Sequence, residues 1–408
     1  MPSFRLPVLL IGTSSLAALV AAPLAAESAL PQERQSEDAE ERASYVPAAN
    51  EVGQPASSDR FALFVPTDEP VRHRIDFENY DFILKNIVVS MGPSIRQLPF
   101  RRPEAVGTRI RQGHKSPYRL EGSQVMFLFM ENDAKAAFSD YRRELEGITN
   151  TLDIASLPRN EQLAFWFNFH NIAMLEQLAN NWPTREPAEI EIDGVPLNDA
   201  KWLTVRGIPI SLRDIRENIV FANWKSPKVI YGFWRGEIGG PALEREAFTA
   251  ANVNSLLDIA AEDFINSLRG TQKRGDRLDV STLYDETRAF YFPDFETDVR
   301  AHLSSYANEE VSEILSKTSM VNASIRDRTI ADLSGGARFA NYLFNSTEGN
   351  PMFYDDAPSS RVPIPLWLHL NDRQRKLEGM ARDDIPTGRV IFSNIDLPGD
   401  PPNKNAVE

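Results

Sequence analysis

The sequence predicts a mixed α/β (α+β) fold: one principal domain of helices packed on a small sheet with hairpins, plus a C-terminal extension. Three observations carry that expectation. Residues 156–182 follow a helical pattern that is apolar almost all round, the mark of a buried helix. Asp193-Gly194 and Arg206-Gly207 each stand between apolar positions, where such pairs make hairpin turns. Further stretches of helical period lie on both sides, with no internal repeat of solenoid length.

The chain of 408 residues is long enough for two or three domains, or for one large domain with extensions. Its apolar fraction of 42% is that of a globular protein. A formal net charge of −14 argues against nucleic acid as a partner, since a polyanion needs a basic face. The absence of cysteine excludes disulfides, thiolate nucleophiles and cysteine–zinc sites.

Residues 1–26 read as a secretory signal: Arg5, then an apolar run over 6–20, then small residues over 22–26. The run is shorter than the ~20 residues a span needs, and Thr13, Ser14 and Ser15 interrupt it. The expectation is an exported chain, periplasmic or secreted, with no membrane span once matured. Residues 27–60, acidic and nearly free of aromatics, read as a disordered linker.

The principal domain is expected at about 75–320. Residues 80–90 suit one helix. Residues 91–118 suit a loop carrying Arg96, Arg101, Arg102, Arg109, Arg111 and Lys115, with Arg119 just beyond. That basic loop either holds an anion or pairs with the protein's own carboxylates. A buried strand is expected at 124–130, and an amphipathic helix at 133–147 begun by Asn132 or Asp133. Ser156 is placed to cap the central helix, with Pro158 in its first turn. The two hairpins span 189–197 and 202–210. Ser211 and Asp214 form a near capping box for the next helix. Residues 229–234 suit a buried strand running into a glycine turn, and 246–268 a helix closed by Gly270. An extended piece and a helix follow over 279–290, and another helix over 295–306. The extension, 321–408, is expected to be partly irregular, with a helix at 366–377 and disorder over 399–408.

Four groups of residues are candidates for chemistry. On a helix, Glu161, Asn168 and Asn171 fall near one line, while His170 points about 160° away from Asn168. The line is either an acid–base or substrate-orienting face or a buried network tying the helix to a neighbouring loop. His170 is one of only five histidines, and no two stand at metal-ligand spacing, so no metal and no cofactor are expected. Arg235, Glu237 and the turn Gly239-Gly240-Pro241 form either an anion cradle or a tight connection. Phe221, Trp224, Tyr231, Phe233 and Trp234 either stack on envelope sugars or belong to the core.

Glu161-Gln162-Leu163-Ala164-Phe165-Trp166-Phe167-Asn168-Phe169-His170-Asn171 resembles the signature helix of the domain of unknown function 547 family, with His170 where tyrosine is usual. Gly207 followed by Ser211-Leu212, and the stretch from Pro227 to Pro241, fit the same family, and the resemblance extends over roughly 75–318. The departures bear on chemistry. Arg216 and Glu217 stand where the family has Glu-His, and Ile230 stands for another histidine. Arg235 and Gly240 occupy its two cysteine positions. Thiol chemistry, if the family has it, is therefore closed to this chain.

The expected function is an exported, non-catalytic cell-envelope binding or scaffolding domain whose partner is an envelope ligand or protein. The alternative is an envelope hydrolase using His170, Asn168 and a carboxylate such as Glu161 or Glu217. Arg235 is expected to pair internally with Glu237 or Glu217.

Overall fold

The protein is described here by a computed structural model over residues 59–99, 114–338, 363–388, 390–393, 401 and 403–408. The signal segment 1–26, nearly all of the linker 27–60, and Arg101, Arg102, Arg109 and Arg111 lie outside the described residues.

Helix α3 (Arg159–Asn181) is the axis of the fold, and every residue from Asn160 to Glu176 is buried. Aromatic side chains fill the space around it: Trp166 meets Phe64 and Phe165 edge-on, and Phe167 meets Phe233 and Phe248. Ser156 does not cap this helix. It belongs to a 3-10 turn, Ile154–Ser156, and its hydroxyl donates to the Asp153 carbonyl at 2.7 Å. Pro158 stands at the cap, and the first free amide, Arg159 N–H, donates to Asn403 Oδ1 at 3.0 Å. The end of the chain is thus docked rather than disordered over 403–408. Val407 is 2% exposed, and its amide donates to Asn160 Oδ1 at 2.8 Å.

Helix α1 (Glu78–Ile87) gives way to strand β1 (Val88–Ser90), so the single helix expected at 80–90 is cut short by β-branched residues that pair with β2 (Ser123–Val125). The strand expected at 124–130 ends at Val125, and Phe127–Phe129 form a 3-10 turn. Helix α2 (Asn132–Ile148) packs along α3. The hairpins β3–β4 (Glu191–Ile192, Val195–Pro196) and β5–β6 (Leu203–Val205, Ile208–Ile210) form as expected. Asp193, Gly194, Arg206 and Gly207 take positive φ at their turns.

Ser211 and Asp214 complete a reciprocal capping box, each backbone amide donating to the other's side chain at 3.0 Å. The helix they start is wound as a π-helix over Asp214–Phe221. Residues Pro227–Gly232 are a buried 3-10 turn, not the strand expected at 229–234. Gly232 lies so close to Phe167 that a Cβ there would fall 2.5 Å from its ring. Helix α4 (Val253–Ile265) is shorter than the expected 246–268, because Thr249 and Asn252 exchange cap hydrogen bonds just before it.

Strands β7 (Thr271–Arg274), β8 (Arg277–Ser281) and β9 (Met320–Ile325) form a three-stranded sheet, in which β9 runs parallel to β8. A boundary at 320 therefore falls at the start of a paired strand. Helices α5 (Thr282–Glu286), α6 (Arg288–Tyr291), α7 (Phe295–Ser304) and α8 (Glu309–Ser316) make the crossover. The last helix, α9 (Ile364–Arg382), rests on a small second core of Met91, Leu333 and Leu366. Among the described residues no helix is long and apolar enough to cross a membrane.

Candidate functional site

Asn168 and Asn171 each behave like a length of β-ladder. Asn168 Nδ2 donates to the Phe248 carbonyl at 2.8 Å, and its Oδ1 accepts from the Phe248 amide at 3.0 Å. Asn171 Nδ2 donates to the Gly232 carbonyl at 2.9 Å, and its Oδ1 accepts from the Trp234 amide at 3.0 Å. Two irregular segments with no strand partner are thereby satisfied by one helix face, which is what buried backbone requires. Glu161, also on this line, accepts from the Ile75 amide at 2.7 Å. The line ties the helix to neighbouring loops.

His170 points the other way and is fully buried. Arg216 Nη1 lies 2.9 Å from its Nε2, and Asn171 Oδ1 lies 3.1 Å from its Nδ1. A guanidinium only donates, so Nε2 accepts and the ring proton sits on Nδ1, donating to Asn171. Burial lowers the His170 pKa well below its ordinary value, and the Arg216 charge lowers it further. The imidazole is thus neutral and held in one tautomer. Its two hydrogen-bond partners are an amide and a cation rather than a carboxylate.

Arg216 projects from the π-helix and is 4% exposed. Its Nη1 also donates to Asn198 Oδ1 at 3.1 Å, and among the described residues it makes no ion pair. Burial pushes this guanidinium down to about 9, with Arg235 adding to the effect, so it remains a cation at neutral pH. Glu217 and Glu286 draw on it only through space, and a buried charge without a direct ion pair is costly. Arg235 pairs with Glu286 of α5, not with the expected Glu237 or Glu217, and its Nε is buried without a partner. Burial works to raise the Glu286 carboxyl, but Arg235, helped by Arg326 and Arg216, outweighs it and holds the group below its usual value. Glu217 faces Arg213 at 3.7 Å on the exposed side.

Glu237 is half-buried, and its carboxyl makes no hydrogen bond to the described residues. Burial raises it to about 6, against the pull of Arg235, Arg326 and Arg328. The structure thus brings Arg216, Arg235, Glu237 and Glu286 within electrostatic reach of one another beside His170. Asn198, Glu286, Arg326 and Arg328 had no signal in the sequence, because they come from separate parts of the chain.

Gly239 and Gly240 do not offer their amides to a ligand. The Gly239 amide donates to the Asp327 carbonyl at 2.9 Å and the Gly240 amide to the Glu237 carbonyl at 3.2 Å. A Cβ on Gly239 would lie 2.5 Å from the Asp327 nitrogen, so this turn is a tight connection. Arg269, 2% exposed, braces it by donating to the Gly240 carbonyl at 2.9 Å. The aromatic group of Phe221, Trp224, Tyr231, Phe233 and Trp234 is core, each 6% exposed or less. Tyr231 also joins a buried network that the sequence did not reveal, its hydroxyl 2.8 Å from His302 Nε2 and 3.1 Å from the Tyr284 hydroxyl. Among the described residues no cluster of three or more acidic or imidazole groups could hold a metal.

Residues 154–265 match the family model described as a protein of unknown function, DUF547. The matched stretch contains the signature helix, the Ser211-Leu212 start and the segment from Pro227 to Pro241, so the resemblance read from those motifs holds there. No curated protein and no solved structure compared with the chain matches it.

Proposed function

We propose that this chain, with a region that matches a family of unknown function at its centre, is an exported, non-catalytic binding domain of the cell envelope that takes an anionic group beside Arg216 and Arg235. The observation that carries this reading is Arg216, a buried cation whose direct hydrogen-bond partners are both neutral. A carboxylate or phosphate reaching Arg235 would add a counter-charge beside the two guanidinium groups, which suit both. Glu286, with its side chain 43% exposed, is the acid that pairs with Arg235 there. The apolar start of the sequence supports export.

Calorimetry with anionic envelope fragments tests the binding reading. Wild-type protein should bind, and Arg235→Ala should bind at least tenfold more weakly. Intact-mass analysis of protein from the exported fraction tests processing, and the mass should correspond to a start near Glu27. Retention of Met1 would refute cleavage.

A hydrolase has one observation in its favour, the raised carboxyl of Glu237, since an acid poised near neutrality suits proton transfer. Robust turnover of a peptide, ester or glycan by wild-type protein, lost in His170→Ala, would replace the binding reading.

A further inference from the structure

A second charged feature lies outside the residues that match the family. Between the segment after β1 and helix α9 is a cavity of about 260 Å3, its apolar wall made by Ile95, Leu98, Pro99 and Leu120. Glu121, Asp372, Arg375 and Lys376 also line it. Two acids and two bases cancel formally, but their partners do not.

The acids are engaged elsewhere. Glu121 Oε1 accepts from the Ser94 hydroxyl at 2.7 Å and the Leu268 amide at 3.3 Å, and its Oε2 faces Arg269 at 3.7 Å. Asp372 faces Arg119 at 3.7 Å. The bases are not neutralised in this way. Lys376, 7% exposed, donates to the Leu120 carbonyl at 2.6 Å and the Gly92 carbonyl at 3.4 Å, both neutral acceptors. Arg375 makes no hydrogen bond or ion pair to the described residues. The cavity is therefore left with two cations that make no direct ion pair to the described residues, Glu121 and Asp263 acting on Lys376 only through space. Burial lowers the Lys376 ammonium to about 8, with Arg269 and Arg373 adding to the effect against the pull of Glu121 and Asp263.

We propose that this cavity binds a small organic carboxylate with an apolar body, the carboxylate meeting Arg375 and Lys376 and the body lying against Ile95, Leu98, Pro99 and Leu120. An apolar lining with a few convergent polar groups is the usual build of a small-molecule site. The ligand touches both α9 and the segment after β1, so its binding also secures α9 on the domain.

Calorimetry on the full chain with sodium hexanoate, and with 1-hexanol as a neutral probe of similar length, tests this. Hexanoate should bind saturably and at least tenfold more tightly than hexanol. Arg375→Gln, at an exposed position, and Leu98→Asp, which sets a like charge on the apolar wall, should each weaken hexanoate at least tenfold. Arg143→Gln, at an exposed position of α2 outside the cavity lining, should leave it unchanged. No saturable binding, equal affinity for the two probes, or unaltered binding in both Arg375→Gln and Leu98→Asp would overturn the proposal.

Discussion

Arg216 donates to His170 Nε2 at 2.9 Å, so the histidine of the central helix accepts from a cation rather than donating to a carboxylate. The pair occupies neighbouring elements, α3 and the π-helix, and π-turns are frequent where a function requires a side chain to be re-aimed. Replacing Arg216 by methionine removes a buried charge, which is often neutral or stabilising, and leaves His170 Nε2 unpaired, at a cost of about 1–3 kcal/mol. The expected net change in unfolding free energy is within ~2 kcal/mol, together with loss of anion binding. A destabilisation well above 3 kcal/mol in urea would show that the arginine holds the fold instead.

Asn168→Ala removes both partners of the Phe248 backbone, and Asn171→Ala does the same for Gly232 and Trp234. Each substitution should cost about 1–3 kcal/mol by chemical denaturation, since buried peptide groups are left unsatisfied. A change below ~0.5 kcal/mol, the range of surface substitutions, would mean that these side chains do not carry the segments.

The two glycines of the turn should differ. A Cβ at Gly239 meets the Asp327 backbone at 2.5 Å, whereas one at Gly240 meets the Glu237 carbonyl only at 3.5 Å. Gly239→Ala should destabilise by about 1–3 kcal/mol through overpacking, and Gly240→Ala by less than ~1 kcal/mol. Equal thermal shifts for the two variants would contradict the close approach.

Stability should fall as the solution is acidified below pH 6.5. Burial lowers His114 and His302 to about 4 and His369 to about 3, and His170 is also lowered. His369 is pushed down further by His114, Arg119 and Arg373, while Asp327 acts on His114 in the opposite sense. Between about pH 6.5 and 4 the unfolded chain binds protons that the folded chain refuses, so stability is full above 6.5 and is lost towards 4. Glu237 opposes this, because its raised carboxyl takes up a proton in the fold from about pH 6 downward. Asp332, also raised by burial, acts in the same sense as Glu237, but each histidine contributes a slope of up to ~1.4 kcal/mol per pH unit, so four outweigh two carboxyls. Urea denaturation at pH 7, 6 and 5 should show a falling midpoint; a level or rising one would mean that the histidines are not buried neutral.

The sequence by itself determined the elements whose physics is local. The 3.6-residue period and the apolar circumference of α3 announce a buried helix without reference to its neighbours. The hairpin turns at Asp193-Gly194 and Arg206-Gly207, and the Ser211–Asp214 box, rest on backbone angles and hydrogen bonds that span four residues or fewer. Only the tertiary structure decided what Asn168 and Asn171 hold, since Phe248 is 80 residues from the first and Gly232 61 from the second. The same holds for Glu286 as the partner of Arg235, 51 residues away, and for Asn403 as the acceptor at the start of α3. A charged or amide side chain advertises that it needs a partner, but which partner it finds is a property of how separate loops converge in space. The residues 229–234 show the limit most directly. Their apolar run fits strand and buried turn equally well, and the choice fell to Asn171, which takes the Gly232 and Trp234 backbone groups that a neighbouring strand would have paired.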